Sequence, residues 1–278
     1  MDAYNLYAKL CLDSSEYEKG MKDAKSSAGG LTGLFEKVCS AASTVGKGIF
    51  TVAANVAKVS VAATTAGEAA VSALTTLAVN SYADYEQLVG GVETLYKDSA
   101  AKVQQYAADA YKTSGMTANA YMTTATSYAA ALVSSLGGDT ERAAELSNMA
   151  VSDMTDNWNK FGSSADSVQD AYNGFAKGQF QLLDNLKLGY GGTKEEMERL
   201  LDDANKLNAA QGKYTDYSID SFSDIILAIH DIQTEYDITG TTAKEASTTI
   251  SGSLSAAKAA WANLVTGVAD DNANFGQL

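Results

Sequence analysis

The chain has 278 residues and no proline, and its 34 acidic side chains outnumber the 20 basic ones, which gives a net charge of −14 at pH 7. This charge speaks against a nucleic-acid-binding protein, because affinity for phosphates comes mainly from Lys and Arg, and we expect negligible binding to DNA. The missing proline and the abundant alanine predict long helices joined by Gly, Ser and Asn. Cys11 and Cys39 form no C-x-x-C motif, which favours a reducing cytoplasm over a disulfide framework.

Residues 1–40 open with an alternating pattern that predicts one short strand over residues 3–11. Four residues spaced two apart share one side of an extended chain: Tyr4, Leu6, Ala8 and Leu10. A charged helix follows, begun by Asp13 or Ser15, each of which stands three residues before a glutamate, as in a capping box. This helix is predicted to end near Gly29-Gly30.

Residues 41–82 are rich in Ala, Val, Ser and Thr and predict one long helix. Apolar positions every three or four residues form a coiled-coil-like seam: Ile49, Val52, Val56, Val59, Ala63, Ala66, Ala70, Ala73 and Leu77. Because one helix cannot bury its own stripe, we expect the seam to self-associate or to bind a helical partner. A membrane span is the alternative, but Lys58 and Glu68 interrupt the stretch and a span needs about 20 apolar residues.

Residues 83–278 carry three apolar stripes with helical spacing, which predict a multi-helix bundle. The stripes are Tyr85, Leu88, Val89, Val92, Leu95 and Tyr96; Met197, Leu200, Leu201, Ala204 and Leu207; and Ile219, Phe222, Ile226 and Ile229. Tyrosines outnumber the other aromatic residues, and we expect many of them at half-buried helix borders, where the hydroxyl stays in water. The whole pattern predicts an all-α fold with the N-terminal strand as its one extended element.

Glycines followed by a capping residue separate the predicted helices. A glycine can take the left-handed conformation that ends a helix, and a following Ser, Thr or Asp can cap the next one. The pattern occurs five times, at Gly115 with Thr117, Gly138 with Asp139, Gly162 with Ser163-Ser164, Gly192 with Thr193, and Gly240 with Thr242. Thr193 with Glu196, and Thr242 with Glu245, also have capping-box spacing.

The glycine-rich segment 189–194 has some of the composition of a phosphate-binding loop. A P-loop places its Lys before Ser or Thr and follows a strand. Here Thr193 precedes Lys194, and residues 182–188 are predicted to be helical. We interpret the segment as a rigid turn between helices.

No residue pattern predicts a catalytic, cofactor or metal site. His230 is the only histidine, falls at the flank of its predicted helix, and is interpreted as a partly solvated surface residue. The acidic residues between 195 and 203 fit a solvated helix face better than a glycosidase pair, with ion pairs from Glu195 to Arg199 and from Asp202 to Lys206. No G-x-S-x-G motif or Cys-His pairing is present. We therefore predict a protein that is not an enzyme.

Four stretches of the chain carry a resemblance to one protein family. They are LCLDSSEYEKGMK at 10–22, YADYEQLVGGVETL at 82–95, LDNLKLGYGGTKEEM at 183–197 and TGTTAKEA at 239–246. These stretches resemble the tape measure proteins of siphophages and of prophages of Gram-positive bacteria. The resemblance spans nearly the whole chain.

This resemblance implies a structural role in the virion, inside the tail lumen, after assembly in the bacterial cytoplasm. In that family several copies lie along the lumen, tail-tube subunits polymerise around them, and their length sets tail length. The partners implied are further copies of the chain, the tail-tube protein, tail assembly chaperones and distal tail proteins. Assistance of DNA ejection, with transient contact to the host membrane, is also implied. The chain is shorter and more globular than such a ruler, so we expect it to be an N-terminal part.

The alternative function is that of a secreted helical protein that acts on membranes, such as a pore-forming protein. Residues 41–82 would then insert into the bilayer as a hairpin. A secretion signal or a longer apolar run would favour this function, and the opening Met1-Asp2 lacks the basic segment of a signal peptide.

Overall fold

A computed structural model of the chain describes residues 68–248 and 250–267. Every regular element in these ranges is helical and none is a strand, so the described part has an all-α fold. The strand predicted over residues 3–11 and the helix that follows it lie outside these ranges. The seam residues from Ile49 to Ala66 lie outside these ranges too. The remaining seam residues, Ala70, Ala73 and Leu77, lie on the first described helix.

The described helices are, in chain order, α1 Glu68–Tyr96, α2 Ala100–Thr113, α3 Ala118–Ser135, α4 Thr140–Phe161, α5 Ala165–Phe175, α6 Lys194–Ala210, α7 Phe222–Glu235, α8 Thr241–Thr248 and α9 Ile250–Gly267. Short 3-10 helices cover Lys97–Ser99 and Leu183–Leu186. The described residues divide into two compact units, one of Glu86–Ala260 and one to which residues 68–85 and 261–267 belong.

Among the residues described, no helix is both long and apolar enough to cross a membrane.

Helix α4 is the centre of the unit Glu86–Ala260, because α2, α3, α5, α7 and α8 all pack against it. Five successive residues of α4 are buried: Asp153, Met154, Thr155, Asp156 and Asn157. Five residues make more than one turn, so the helix is enclosed on every side at this level. Its polar side chains must therefore find their partners inside the bundle.

Two of the predicted stripes form much of the core in this unit. Helices α6 and α7 pack against each other, and their buried stripe residues are Met197, Leu200, Leu201, Ala204, Phe222, Ile226 and Ile229. Leu207 and Ile219 are only half-buried, the latter because it precedes α7. In the stripe on α1, Val92 and Tyr96 are buried and the others half-buried.

Several tyrosines enter the core, so the predicted placement at helix borders is wrong for them. Tyr96, Tyr121, Tyr128 and Tyr172 are at most 2% exposed. The Tyr96 hydroxyl donates to the Ala125 carbonyl oxygen at 3.0 Å and lies 2.6 Å from Ser147 Oγ. Burial raises the pKa of Tyr96 to about 12. An internal partner thus replaces the water that a border position would supply.

Four of the five predicted caps form, and of the glycines paired with them Gly115, Gly138 and Gly162 take left-handed φ values of 64°, 94° and 63°, whereas Gly192 does not. The capping oxygens of Thr117, Asp139, Ser164 and Thr193 accept hydrogen bonds from the amides three residues further on, at 3.1, 2.9, 3.1 and 3.2 Å. The capping box at Thr193 is only half formed. The Glu196 side chain accepts a hydrogen bond from the Gly191 amide and not from the Thr193 amide. The box predicted from Thr242 to Glu245 is wrong, because α8 begins at Thr241 and Thr242 lies inside it.

Candidate functional site

Buried polar side chains from three helices meet around the middle of α4, and we call them the α4 polar cluster: Asp153, Asp156, Asn157, Tyr172, His230 and Gln233. Asp153, Asp156 and Asn157 belong to α4, Tyr172 to α5, and His230 and Gln233 to α7. All except His230 are at most 2% exposed. Sequence analysis singled out only His230 of this set.

Asp153 and His230 form an ion pair between α4 and α7. His230 Nδ1 lies 3.0 Å from both carboxylate oxygens of Asp153, whose side chain is 1% exposed against 27% for His230. Burial raises the pKa of Asp153 to about 6, although the contact with His230 lowers it. The hydrogen bond to Asp153 in turn raises the pKa of His230 above its ordinary value. His230 is therefore partly solvated, as predicted, but it is a helix-pairing residue rather than a free surface one.

Asp156 caps helix α8 from a distant position in the sequence. Its Oδ2 accepts a hydrogen bond from the Gly240 amide at 2.6 Å, and its Oδ1 accepts one from the Thr242 amide at 2.7 Å. The first amides of a helix lack intrahelical partners and carry partial positive charge, which a carboxylate satisfies well. Asn159 adds a hydrogen bond from its Nδ2 to Thr242 Oγ1 at 2.8 Å. The start of α8 is thus held on α4.

Asn157 connects α4 to α7 and to the segment before α6. Its Nδ2 donates to the Leu186 carbonyl oxygen at 2.9 Å and to Gln233 Oε1 at 3.4 Å. The side chains of Asn157, Gln233 and Tyr172 are all 0% exposed. The α4 polar cluster therefore tethers α7, α8 and the 3-10 helix Leu183–Leu186 to α4.

The spacing of the surrounding residues explains why most of this cluster escapes sequence analysis. Ala150, Val151, Met154 and Trp158 recur every three or four positions and suggest an ordinary amphipathic helix. On such a helix the two aspartates would face water. No local signal shows that further helices cover this face.

The glycine-rich segment 189–194 forms a turn in which the Gly191 and Thr193 amides already have hydrogen-bond acceptors. The Gly191 amide donates to Glu196 Oε2 at 3.0 Å. Arg199 Nη2 donates to the Gly189 carbonyl oxygen at 2.8 Å, and its guanidinium lies 4.2 Å from the centre of the Tyr190 ring. The helix predicted over residues 182–188 shrinks to Leu183–Leu186, because Lys187 takes a left-handed φ of 52°. The segment thus acts as a rigid turn that leads into α6.

Replacing Gly192 with alanine is expected to destabilise this turn by about 2 kcal/mol, the usual cost of overpacking. A Cβ on Gly192 would lie within 3.0 Å of the carbonyl carbon of Gln181 and closer still to its oxygen. A Cβ on Gly191 would meet only Glu196 Cγ, at 3.5 Å. Gly191→Ala is therefore the matched control, with an expected change below about 0.5 kcal/mol. Urea unfolding of both variants checks this, and equal losses would contradict it.

The acidic face of α6 pairs differently from the prediction. Arg199 bonds Glu196 at 2.6 Å and lies 3.7 Å from Asp203, and Lys206 bonds Asp203 at 3.3 Å. The predicted pairs from Glu195 to Arg199 and from Asp202 to Lys206 do not form. Contacts with the Tyr190 ring and the Gly189 carbonyl oxygen hold Arg199 at the turn, which accounts for the missing pair with Glu195, and Lys206 pairs with Asp203 instead of Asp202.

Within residues 68–248 and 250–267, no group of three or more His, Cys, Asp or Glu side chains is placed to hold a metal ion. In comparisons with protein-family models, curated proteins and solved structures, nothing matches this chain. The contacts of the α4 polar cluster are contacts between helices, which favours a role in holding this unit together.

Proposed function

We propose that the chain is the N-terminal part of a phage tail tape measure protein and that residues 86–260 are a folded end piece of it. One observation supports this most directly. Two of the family-like stretches coincide with the places where helices join the bundle: residues 183–197 form the turn into α6, and residues 239–246 form the start of α8 on Asp156. These two of the four stretches thus fall on structural joints, as expected of a structural protein.

In this proposal the end piece docks to tail or assembly partners, and the ruler proper lies elsewhere in the protein. The seam from Ile49 to Leu77 on the long Ala- and Val-rich helix joins copies of the chain, and the short N-terminal strand precedes it. The partners are the tail-tube protein, assembly chaperones and distal tail proteins, and the negative charge keeps the chain from gripping the DNA that leaves through the same lumen.

The dimensions of the folded unit argue against a ruler role for residues 86–260. A helix rises 1.5 Å per residue, so α4 with its 22 residues spans about 33 Å. Even an unbroken helix of 278 residues would reach only about 420 Å. The chain instead folds back repeatedly between α2 and α8, so its reach is much shorter than its contour length.

In-frame deletions in the complete gene test the proposal. Removing segments within residues 98–240 is expected to abolish tails, or to give length changes that do not follow the number of residues removed. Deletions in the ruler region should shorten tails by about 1.5 Å per residue lost. Tail lengths are measured by electron microscopy of negatively stained particles.

Two results would count against this assignment. Strictly proportional shortening by deletions within residues 98–240 would make this segment part of the ruler. Normal tails from every such deletion, together with leakage of liposomes by the purified protein, would favour the membrane-active alternative.

A further inference from the structure

The loop between α6 and α7, residues 211–221, presents one aromatic side chain to the solvent. Tyr214 is 93% exposed, whereas the next most exposed large apolar or aromatic side chains among the described residues, Tyr236 and Trp261, are both 49% exposed. Other tyrosines of this unit are buried in its core. The Tyr214 ring therefore adds little to the stability of the fold and is available for contact with another molecule.

The chain on the C-terminal side of Tyr214 is fixed to helix α6 by one amide side chain. Asn205 Oδ1 accepts a hydrogen bond from Thr215 Oγ1 at 2.9 Å and another from the Tyr217 amide at 3.0 Å. The backbone directly after Tyr214 thus has a defined position on the helix that precedes the loop.

A second set of contacts fixes the loop on both sides of Tyr214. The Lys213 amide donates to the Asn208 carbonyl oxygen at 2.9 Å. The Tyr217 hydroxyl donates to Asp231 Oδ2 on α7 at 2.8 Å, and Asn208 Nδ2 donates to the same oxygen at 2.5 Å. Tyr217 therefore holds the loop, while Tyr214 faces water from a backbone that is already ordered. An aromatic side chain presented in this way loses little conformational entropy when it binds.

The same loop carries an excess of negative charge. Residues 211–224 contain three aspartates, Asp216, Asp220 and Asp224, against one base, Lys213, which gives a net charge of −2. Asp216 and Asp220 are exposed, and neither forms an ion pair with another described residue. Because the whole chain carries −14, charge repulsion disfavours a second copy at this loop, and it disfavours an anionic membrane in the same way.

We propose that the 211–221 loop is a docking site, in which the Tyr214 ring enters an apolar pocket on a protein partner whose pocket rim carries Lys and Arg. Tyrosine is enriched among the residues that dominate binding energies at protein interfaces. The aspartates beside it complement a basic rim and accelerate association. The inference rests on the proposed function, in which residues 86–260 dock to partners, and it names the surface that docks.

Photo-cross-linking identifies the occupant of the site. A photoreactive phenylalanine derivative replaces Tyr214 in the complete protein, in the cells that produce it. The expected result is one discrete adduct, with a protein whose cross-linked segment contains Lys or Arg. The same replacement at Tyr236, which lies beyond the other end of α7, should give no such adduct. A cross-link from residue 214 only to further copies of this chain, or no cross-link at all, would overturn the proposal.

Binding of the full chain to the purified partner then measures the role of the ring. Tyr214→Ala should raise Kd by about 30-fold or more and leave urea unfolding unchanged, because the side chain is 93% exposed. Tyr236→Ala is the matched control and should change neither quantity. Asp216→Asn together with Asp220→Asn should slow association and weaken its dependence on salt. A Tyr214→Ala variant that binds as tightly as the wild type would overturn the proposal even where an adduct forms.

These outcomes are separate from those of the deletion experiment. A basic partner that is no component of a virion would support the docking site and contradict the tape measure assignment. Deletions that behave as expected, together with the absence of an adduct at residue 214, would overturn the docking site alone.

Discussion

Replacing Asp156 with alanine is expected to release the start of α8 from α4 and to destabilise the unit Glu86–Ala260 by about 3 kcal/mol. The carboxylate is 2% exposed and accepts from the Gly240 amide at 2.6 Å and from the Thr242 amide at 2.7 Å. Both bonds are lost at once, and the two donors are left without their partner. Asp156→Asn should lose most of the same stability, because an amide presents one acceptor and one donor to two donors.

Hydrogen exchange and denaturant unfolding measure this effect together. The amides of residues 240–248 should exchange much faster in Asp156→Ala, whereas those of α3 change only as much as global stability does. Asn159→Ala is the matched control on the same helix, because it removes only the bond to Thr242 Oγ1 and should cost about 1 kcal/mol. Unchanged protection of α8 in both Asp156 variants would show that the helix is held by its apolar contacts instead.

The caps of this protein show how far local chemistry carries a structural prediction. At Thr117, Asp139, Ser164 and Thr193, the capping oxygen and the amide it binds are three residues apart, so the sequence pattern contains both partners. The cap of α8 comes from Asp156, 84 residues away from Gly240. A local pattern cannot contain that partner, and it suggested Thr242 in its place.

The α4 polar cluster escaped prediction for a related reason. Periodicity predicts correctly most of the apolar residues that α6 and α7 bury, because apolar side chains at helical spacing lie on one face of a helix. Helix α4 is covered on all sides, so its polar residues Asp153, Asp156 and Asn157 are buried together with its apolar ones. Which helices cover it depends on contacts between residues such as Asp153 and His230, 77 positions apart. The position of His230 on its own helix was predicted correctly, and its partner was not.

These contacts bear on the proposed role as an end piece. Four of the five helices packed on α4 have polar contacts with it, of three kinds: α5 and α7 meet the buried cluster, α8 is capped by Asp156, and α3 packs through Tyr128 onto the Ser147 carbonyl oxygen. Such specific polar links favour one arrangement of helices. A docking piece needs a defined surface, whereas a ruler needs only length.

The Asp153–His230 pair is expected to make this unit less stable as pH rises from about 4 to above neutrality. Both groups have a higher pKa in the folded than in the unfolded chain, so the folded state binds more protons over that range. Asp153 titrates near 3.8 when unfolded and at about 6 when folded, because burial disfavours its charge. His230 starts from 6.5, and its hydrogen bond to Asp153 raises its pKa, with the charges of Asp231 and Asp156 adding to the effect. The contribution of His230 is thus full below 6.5 and is lost as pH rises through its higher folded-state pKa.

In Asp153→Asn the stability of the unit is expected to rise with pH instead of falling, and the quantity to measure is the free energy of unfolding at two pH values, below and above the folded-state pKa of His230. Above about pH 6 and below the folded-state pKa of His230, the variant leaves a half-buried histidinium without its counter-charge, and the expected loss is about 2 kcal/mol. Above the folded-state pKa of His230 the histidine is neutral in both proteins, and the variant removes a buried carboxylate that no longer has a cationic partner, so the loss should shrink toward zero. The chain has a single histidine, so its NMR titration is unambiguous, and its pKa should fall in Asp153→Asn because burial then acts without the carboxylate.

Asp202→Asn, at an exposed position of α6, should leave both the titration and the pH dependence unchanged. An Asp153→Asn variant whose stability loss is the same at both pH values, with an unaltered histidine titration, would show that the pair does not carry charge in the folded protein.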